Sequence, residues 1–214
     1  MGHGFINFRI EGDRLMAFNH ERGLCWYNDT YKLCFIGVPK NAQTSIRNAF
    51  NLNSNQTNYN ILSSDRKKYT TICVIRNPFY RIISGYLEVL NRSNSKTKTK
   101  SFYAMSESKD RFIKFLDEVE REKWDAHVEP QTFYISDINF DRILIFENIQ
   151  EDIKSLCQDL NISINFPHLN KKSDLDKSRV YQYFNGDINL QKKIRKIYEE
   201  DFKLYEKISG EIKI

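Results

Sequence analysis

A handful of residues in the first half of the chain have the types and spacing to capture an anion. Lys40 supplies a compact positive charge, and Thr44 and Ser45 supply hydroxyl donors a few residues later. Farther on, Arg76 offers a planar guanidinium fork and Ser84 another hydroxyl. A fork and a hydroxyl placed in this way can clamp one phosphate between them. Together these residues describe binding and neutralisation of phosphate-like or sulfate-like groups.

The elements that must position them are legible around each. Leu33-Cys34-Phe35-Ile36-Gly37-Val38 is a compact apolar run of the length of a buried strand. Pro39 stops the ladder because it has no N–H to donate. Apolar residues then recur at Ile46, Ala49 and Phe50 with helical spacing. Strand, tight loop and helix follow in order, and such a loop aims backbone N–H groups and a helix N-terminus at one point. Thr71-Ile72-Cys73-Val74-Ile75 is a second β-branched run that ends at Arg76. Pro78 suits the first turn of a helix, whose apolar stripe is Ile82, Ile83, Tyr86, Leu87 and Leu90.

The nucleotide-binding P-loop pattern, G-x-x-x-x-G-K-[ST], is not met. Lys40 stands four residues before Thr44, and the second glycine is missing. The stretch Pro39-Lys40-Asn41-Ala42-Gln43-Thr44-Ser45 instead resembles the 5′-phosphosulfate loop of sulfotransferases that use 3′-phosphoadenosine 5′-phosphosulfate (PAPS). Arg76-Asn77-Pro78-Phe79-Tyr80-Arg81-Ile82-Ile83-Ser84-Gly85-Tyr86 resembles their 3′-phosphate motif, with Arg76 and Ser84 at its phosphate ligands. Arg81 also matches, and an ion pair within the protein is the role expected of it. Trp124-Asp125-Ala126-His127-Val128-Glu129-Pro130-Gln131 is similar to the H-x-x-P-Q segment of the carbohydrate (Golgi-type, family 2) sulfotransferases. Asp141, Phe146-Glu147, Asp152, His168-Leu169-Asn170, Tyr198 and Asp201-Phe202 follow the same pattern, so the resemblance runs over about residues 33–205. Val128 and Gln43 depart from it, where relatives carry an aromatic and a small residue.

The resemblance implies in-line transfer of a sulfuryl group from PAPS to an acceptor hydroxyl, with 3′,5′-adenosine bisphosphate (PAP) leaving. Its demands are those of phosphoryl transfer: positioning and charge stabilisation. Lys40 would neutralise charge at the bridging oxygen, and Pro39 to Ser45 would hold the 5′ end. No metal is implied, because lysine and backbone dipoles supply the positive field. An acceptor hydroxyl needs a base, and histidine titrates near working pH. Of His3, His20, His127 and His168, His127 lies in a motif stretch, with Glu129 as the fallback. The expected acceptor is a carbohydrate hydroxyl. The rival readings are a nucleotide or small-molecule kinase on a related fold and a catalytically silent PAP- or glycan-binding relative.

The formal charge of +5 over 214 residues suits an anionic cofactor or an acidic acceptor. It is too mild to argue for nucleic acid, and no basic run interleaved with aromatics suggests base stacking. Cys25, Cys34, Cys73 and Cys157 have no metal-ligand spacing. Cys34 and Cys73 fall inside expected buried strands, and no disulfide framework is implied, which favours a reducing compartment. No window of the sequence approaches a membrane span. Animal carbohydrate sulfotransferases carry a Golgi anchor, so the expectation is a cytoplasmic microbial or viral form, or the Golgi lumen if an anchor lies outside this sequence.

The rest of the chain reads as one domain of residues 1–214, with 1–30 matching nothing. Ile6, Phe8 and Ile10 alternate like a short strand, Phe18–Tyr27 has no regular pattern, and 51–68 reads as a surface connection. The basic stretch 92–100 reads as a solvated loop, with guidance of an acidic acceptor as the functional alternative. Helices are expected over Glu107–Lys123, from Glu147 to about Leu160 and, as one long pattern, over Asp187–Ile208; Arg142–Phe146 reads as a strand. Strands alternating with helices give an α/β class. The family resemblance makes it a P-loop-like three-layer fold, with a central, mainly parallel sheet flanked by helices.

Overall fold

The computed structural model describes residues 24–52, 68–91, 100–122, 125–136, 138–166 and 174–210. In chain order its elements are β1 (Leu24–Asn28), β2 (Leu33–Gly37), α1 (Gln43–Ala49), β3 (Thr70–Ile75), α2 (Pro78–Asn91), α3 (Lys109–Arg121), α4 (Thr132–Ile135), β4 (Arg142–Ile145), α5 (Ile149–Asp159), α6 (Asp174–Phe184), α7 (Ile188–Ile197) and α8 (Glu199–Ser209). They divide into two compact units, Met1–Arg76 with Gln131–Leu169, and Asn77–Pro130 with Asn170–Ile214.

The first unit is built on a sheet of order β1-β2-β3-β4. β2 pairs in parallel with β3 from Leu33↔Thr70 to Ile36↔Cys73, and β3 with β4 from Ile72↔Arg142 to Ile75↔Ile145. Parallel strands covered on both faces must be apolar throughout, which is why β2 and β3 read as unbroken runs. On one face Leu33, Phe35, Ile72, Val74 and Leu144 pack with Ile46 and Phe50 of the α1 segment and Ile149, Ile153 and Leu156 of α5. Each such buried side chain contributes about 1.5–3 kcal/mol of transfer free energy. Cys34 and Cys73 are buried in β2 and β3 as expected.

β1, which the sequence pattern does not disclose, pairs antiparallel with β2 at the sheet edge. The connecting turn is held by the Asn28 carboxamide oxygen, which accepts from the N–H groups of Thr30 (2.8 Å) and Tyr31 (3.0 Å). Cys25 Sγ of β1 lies 3.3 Å from Cys34 Sγ of β2.

The second unit is helical, and its core is aromatic. Tyr86 of α2, Phe112 and Phe115 of α3, Phe184 of α6 and Phe202 of α8 pack with Phe102 from a short 3-10 turn. α3 begins two residues later than expected because Ser108 caps it, its hydroxyl accepting from Arg111 N–H at 3.2 Å. The expected single helix over Asp187–Ile208 is corrected to two. Tyr198 leaves helical geometry (φ −119°, ψ 34°), and its buried hydroxyl donates to Val128 O at 2.8 Å. Three acids, Glu199, Glu200 and Asp201, then open α8 where the helix dipole favours them. α6 has no counterpart in the sequence reading. The strand expected near Ile6–Ile10, most of 51–68 and of 92–100, and His3, His20 and His168 lie outside the described residues.

Candidate active site

In the first unit the chemistry gathers at the C-terminal ends of β2 and β3. After Val38 the chain turns through Pro39, Lys40, Asn41 and Ala42 before α1 begins at Gln43. Lys40 (φ 71°) and Ala42 (φ 59°) both adopt the left-handed region. That conformation costs a residue with a Cβ about 1–2 kcal/mol, so the packing around the loop must hold these two residues in place. Within the turn the Asn41 N–H donates to Val38 O at 3.2 Å. Ala42, at the N-cap of α1, makes no side-chain cap hydrogen bond. Thr44 is exposed and Ser45 half-buried on the first turn of that helix.

Asn41 pins this loop from beneath and is fully buried. Its Nδ2 donates to Val74 O of β3 at 2.9 Å and to Gln131 Oε1 at 2.9 Å. Because the carbonyl of Val74 can only accept, the carboxamide cannot be turned over, and Oδ1 is left buried with no donor.

Arg76 closes β3 at 8% exposure. Its Nη1 donates to Lys40 O at 3.1 Å, and its guanidinium stacks over Phe146 at 4.1 Å from the ring centroid. The loop residue Lys40 and the strand-end residue Arg76, linked in the sequence only by motif order, are therefore in direct contact. Gln131, completely buried, accepts from Arg76 N at 3.0 Å and donates to Arg76 O at 2.8 Å. The side chain acts as a one-residue strand partner for Arg76. Its role has no local signature, because the groups it serves lie 55 residues away.

The remaining candidates belong to the second unit. Asn77 caps α2, its side-chain oxygen accepting from Phe79 N–H at 3.0 Å, so the Asn-Pro pair of the motif is a helix-start device. Ser84 is half-buried on α2. Arg81, expected in an ion pair, is 2% exposed and donates from Nη1 to Glu129 O at 2.7 Å. Gly85 allows the 125–130 segment to approach the helix: a Cβ there would lie 2.5 Å from His127 O. The Gly in this part of the motif is a packing requirement.

His127 is bound by Asp125. Its Nδ1 lies 2.7 Å from Asp125 Oδ1, which also accepts the His127 N–H at 2.8 Å. A carboxylate on Nδ1 fixes the ring plane and the tautomer, directing Nε2 away as the acceptor. Asp125 lies in the motif stretch, but its role beside His127 comes only with this contact, although an acid two residues before a candidate base is a visible signal. Glu129, the fallback base, turns its carbonyl to Arg81. Burial pushes the Tyr198 phenol far above its ordinary range, so it donates to Val128 O as a neutral group.

A mainly parallel sheet with a basic, hydroxyl-bearing loop at the end of its second strand is the arrangement of a P-loop-like α/β protein. The chain belongs to the sulfotransferase family, whose model it matches over residues 24–207. Sulfuryl transfer to a hydroxyl-bearing acceptor is the chemistry of that family, and the α/β, P-loop-like class expected from the sequence holds. No curated protein and no solved structure matches the chain. Among the described residues no helix is long and apolar enough to cross a membrane, and no group of three or more His, Cys, Asp or Glu is placed to hold a metal ion.

Proposed function

We propose that this sulfotransferase uses PAPS as donor and a carbohydrate hydroxyl as acceptor. The observation that carries the reading is the bond from Arg76 to the carbonyl of Lys40 in a loop with two left-handed residues. The loop's donor set is a lysine, two hydroxyls and backbone N–H groups, backed by a guanidinium, and it suits a phosphosulfate anion.

When bound, PAPS supplies the sulfuryl group and an adenosine bisphosphate that can leave. On the protein's side, Lys40 holds positive charge where negative charge grows on the bridging oxygen. The backbone and hydroxyls of Asn41 to Ser45, with Pro39 setting the turn, grip the 5′ end. Arg76 and Ser84 are assigned to the 3′-phosphate, the group that distinguishes this donor from ATP. His127 Nε2 accepts the acceptor's proton, and Asp125 orients the ring and stabilises the imidazolium that results. The carbohydrate preference rests on the H-x-x-P-Q stretch, His127 to Gln131, and on the late Tyr198 and Asp201-Phe202.

The test is incubation of the full chain with ³⁵S-labelled PAPS and a panel of glycans, lipids and phenols. Label in the glycans supports the reading. Label confined to phenols or lipids overturns the carbohydrate part, and stabilisation by ATP in place of PAP overturns the donor.

A further inference from the structure

Gln131 is a neutral amide with no exposed surface, and it does more than fill space. Its Oε1 receives both Asn41 Nδ2 (2.9 Å) and Arg76 N (3.0 Å), while Nε2 donates to Arg76 O (2.8 Å). Asn41 is the residue between the two left-handed positions of the lysine loop. Arg76 in turn donates from Nη1 to Lys40 O at 3.1 Å. The contacts close a ring: Lys40, Asn41, Gln131, Arg76 and back to Lys40. A shift of Arg76 is therefore felt at Lys40 by two routes, one through its own guanidinium and one through the amide of Gln131. The bonds at Gln131 are buried and that at Lys40 partly so; such a ring moves as a unit, because breaking a buried bond leaves a polar group unsatisfied.

We propose that Gln131 is a positioning residue that makes the 5′ loop and Arg76 one cooperative unit, so that the two phosphate ends of the nucleotide are read together and not independently. This rests on the assignment of Arg76 to the 3′-phosphate and of the lysine loop to the 5′ end. Binding at one end then pre-orders the other, a coupling that is reciprocal by thermodynamic necessity. The protein thereby rejects nucleotides with only one of the two phosphates more strongly than separate contacts would allow.

The experiment measures association constants for PAP, 5′-AMP, 3′-AMP and adenosine by competition, in the wild type and in Gln131→Met and Gln131→Glu. Methionine removes all three hydrogen bonds. Glutamate keeps the shape and the acceptor but loses the donor to Arg76 O. The informative quantity is the PAP constant times the adenosine constant, divided by the product of the two AMP constants. The expected wild-type value is about fivefold or more above one; Gln131→Met, which leaves only the Arg76–Lys40 route, lowers it at least about twofold, and Gln131→Glu, which keeps the acceptor joining Asn41 to Arg76, lowers it less. A purely structural role for Gln131 would weaken all four ligands alike and leave the ratio unchanged, which overturns the proposal. A wild-type ratio near one overturns it whatever the variants do. If neither phosphate improves on adenosine in the wild type, the cofactor assignment itself fails and this inference falls with it, a result distinct from additive gains.

Discussion

Arg76 Nη1 donates to the carbonyl oxygen of Lys40 at 3.1 Å. A residue assigned to one end of the nucleotide thus props the loop assigned to the other. Arg76→Ala removes a charge-assisted bond of about 1.5–3 kcal/mol and is expected to weaken PAP at least tenfold. 5′-AMP is expected to lose less, because only the loop support is removed from it. Calorimetric titration of both ligands checks this, and equal losses for the two would contradict it.

The Asp125–His127 pair predicts a graded result. Removing a positioned general base costs about 10²–10⁴-fold in rate, so His127→Ala should lose turnover on that scale while binding PAP nearly as the wild type does. Asp125→Asn leaves the ring but lets the tautomer change, and it should lower turnover with little change in PAP affinity. Steady-state rates with a fixed acceptor decide; an Asp125→Asn enzyme with full turnover would show that the carboxylate only shapes the turn.

How much of this was legible in the sequence depended on where each residue's partners lie. β2 and β3 were readable because burial on both faces demands continuous apolar runs, and α2 because Pro78 sits at its start. β1 was not, since Cys25-Trp26-Tyr27 sits at an edge where pairing, not pattern, makes the strand. α6 was missed because Tyr181 and Tyr183 flank its inward Val180 and Phe184, which blurs the apolar stripe. The break at Tyr198 was hidden by periodicity that continues across it, although Arg195 and Lys196 followed by three acids mark one helix end and the next start. Lys40 and Arg76 were found by residue type and motif order. Gln131 and Asn41 acquire their roles through each other and through backbone groups distant in sequence.

Gly85→Ala should be costly for a small change. The added methyl carbon would sit 2.5 Å from His127 O, a backbone atom that cannot swing aside. Overpacking of this kind costs about 1–3 kcal/mol, visible as a lower urea midpoint. Turnover should fall with it, since the displaced segment carries His127. A variant with the wild-type midpoint would mean that the segment yields freely.

Tyr198→Phe tests the corner between α7 and α8. It leaves Val128 O buried without the hydroxyl that donates to it at 2.8 Å, at a cost of about 1–3 kcal/mol. Denaturant unfolding at neutral pH measures the loss. An unchanged stability would show that the hydroxyl contributes nothing net to this corner.

Transfer of label from ³⁵S-PAPS to a glycan hydroxyl, compared between the wild type and Lys40→Ala, tests the central claim most directly. The lysine charge matters most as the bridging bond breaks, so the variant should lose most of its turnover while PAP affinity falls less. Lys40→Arg should not restore full activity, because a planar fork does not replace a compact charge in this turn. Label on the glycan with wild type and almost none with Lys40→Ala is the predicted result. Wild-type turnover in Lys40→Ala, with only a raised KM, would contradict the account.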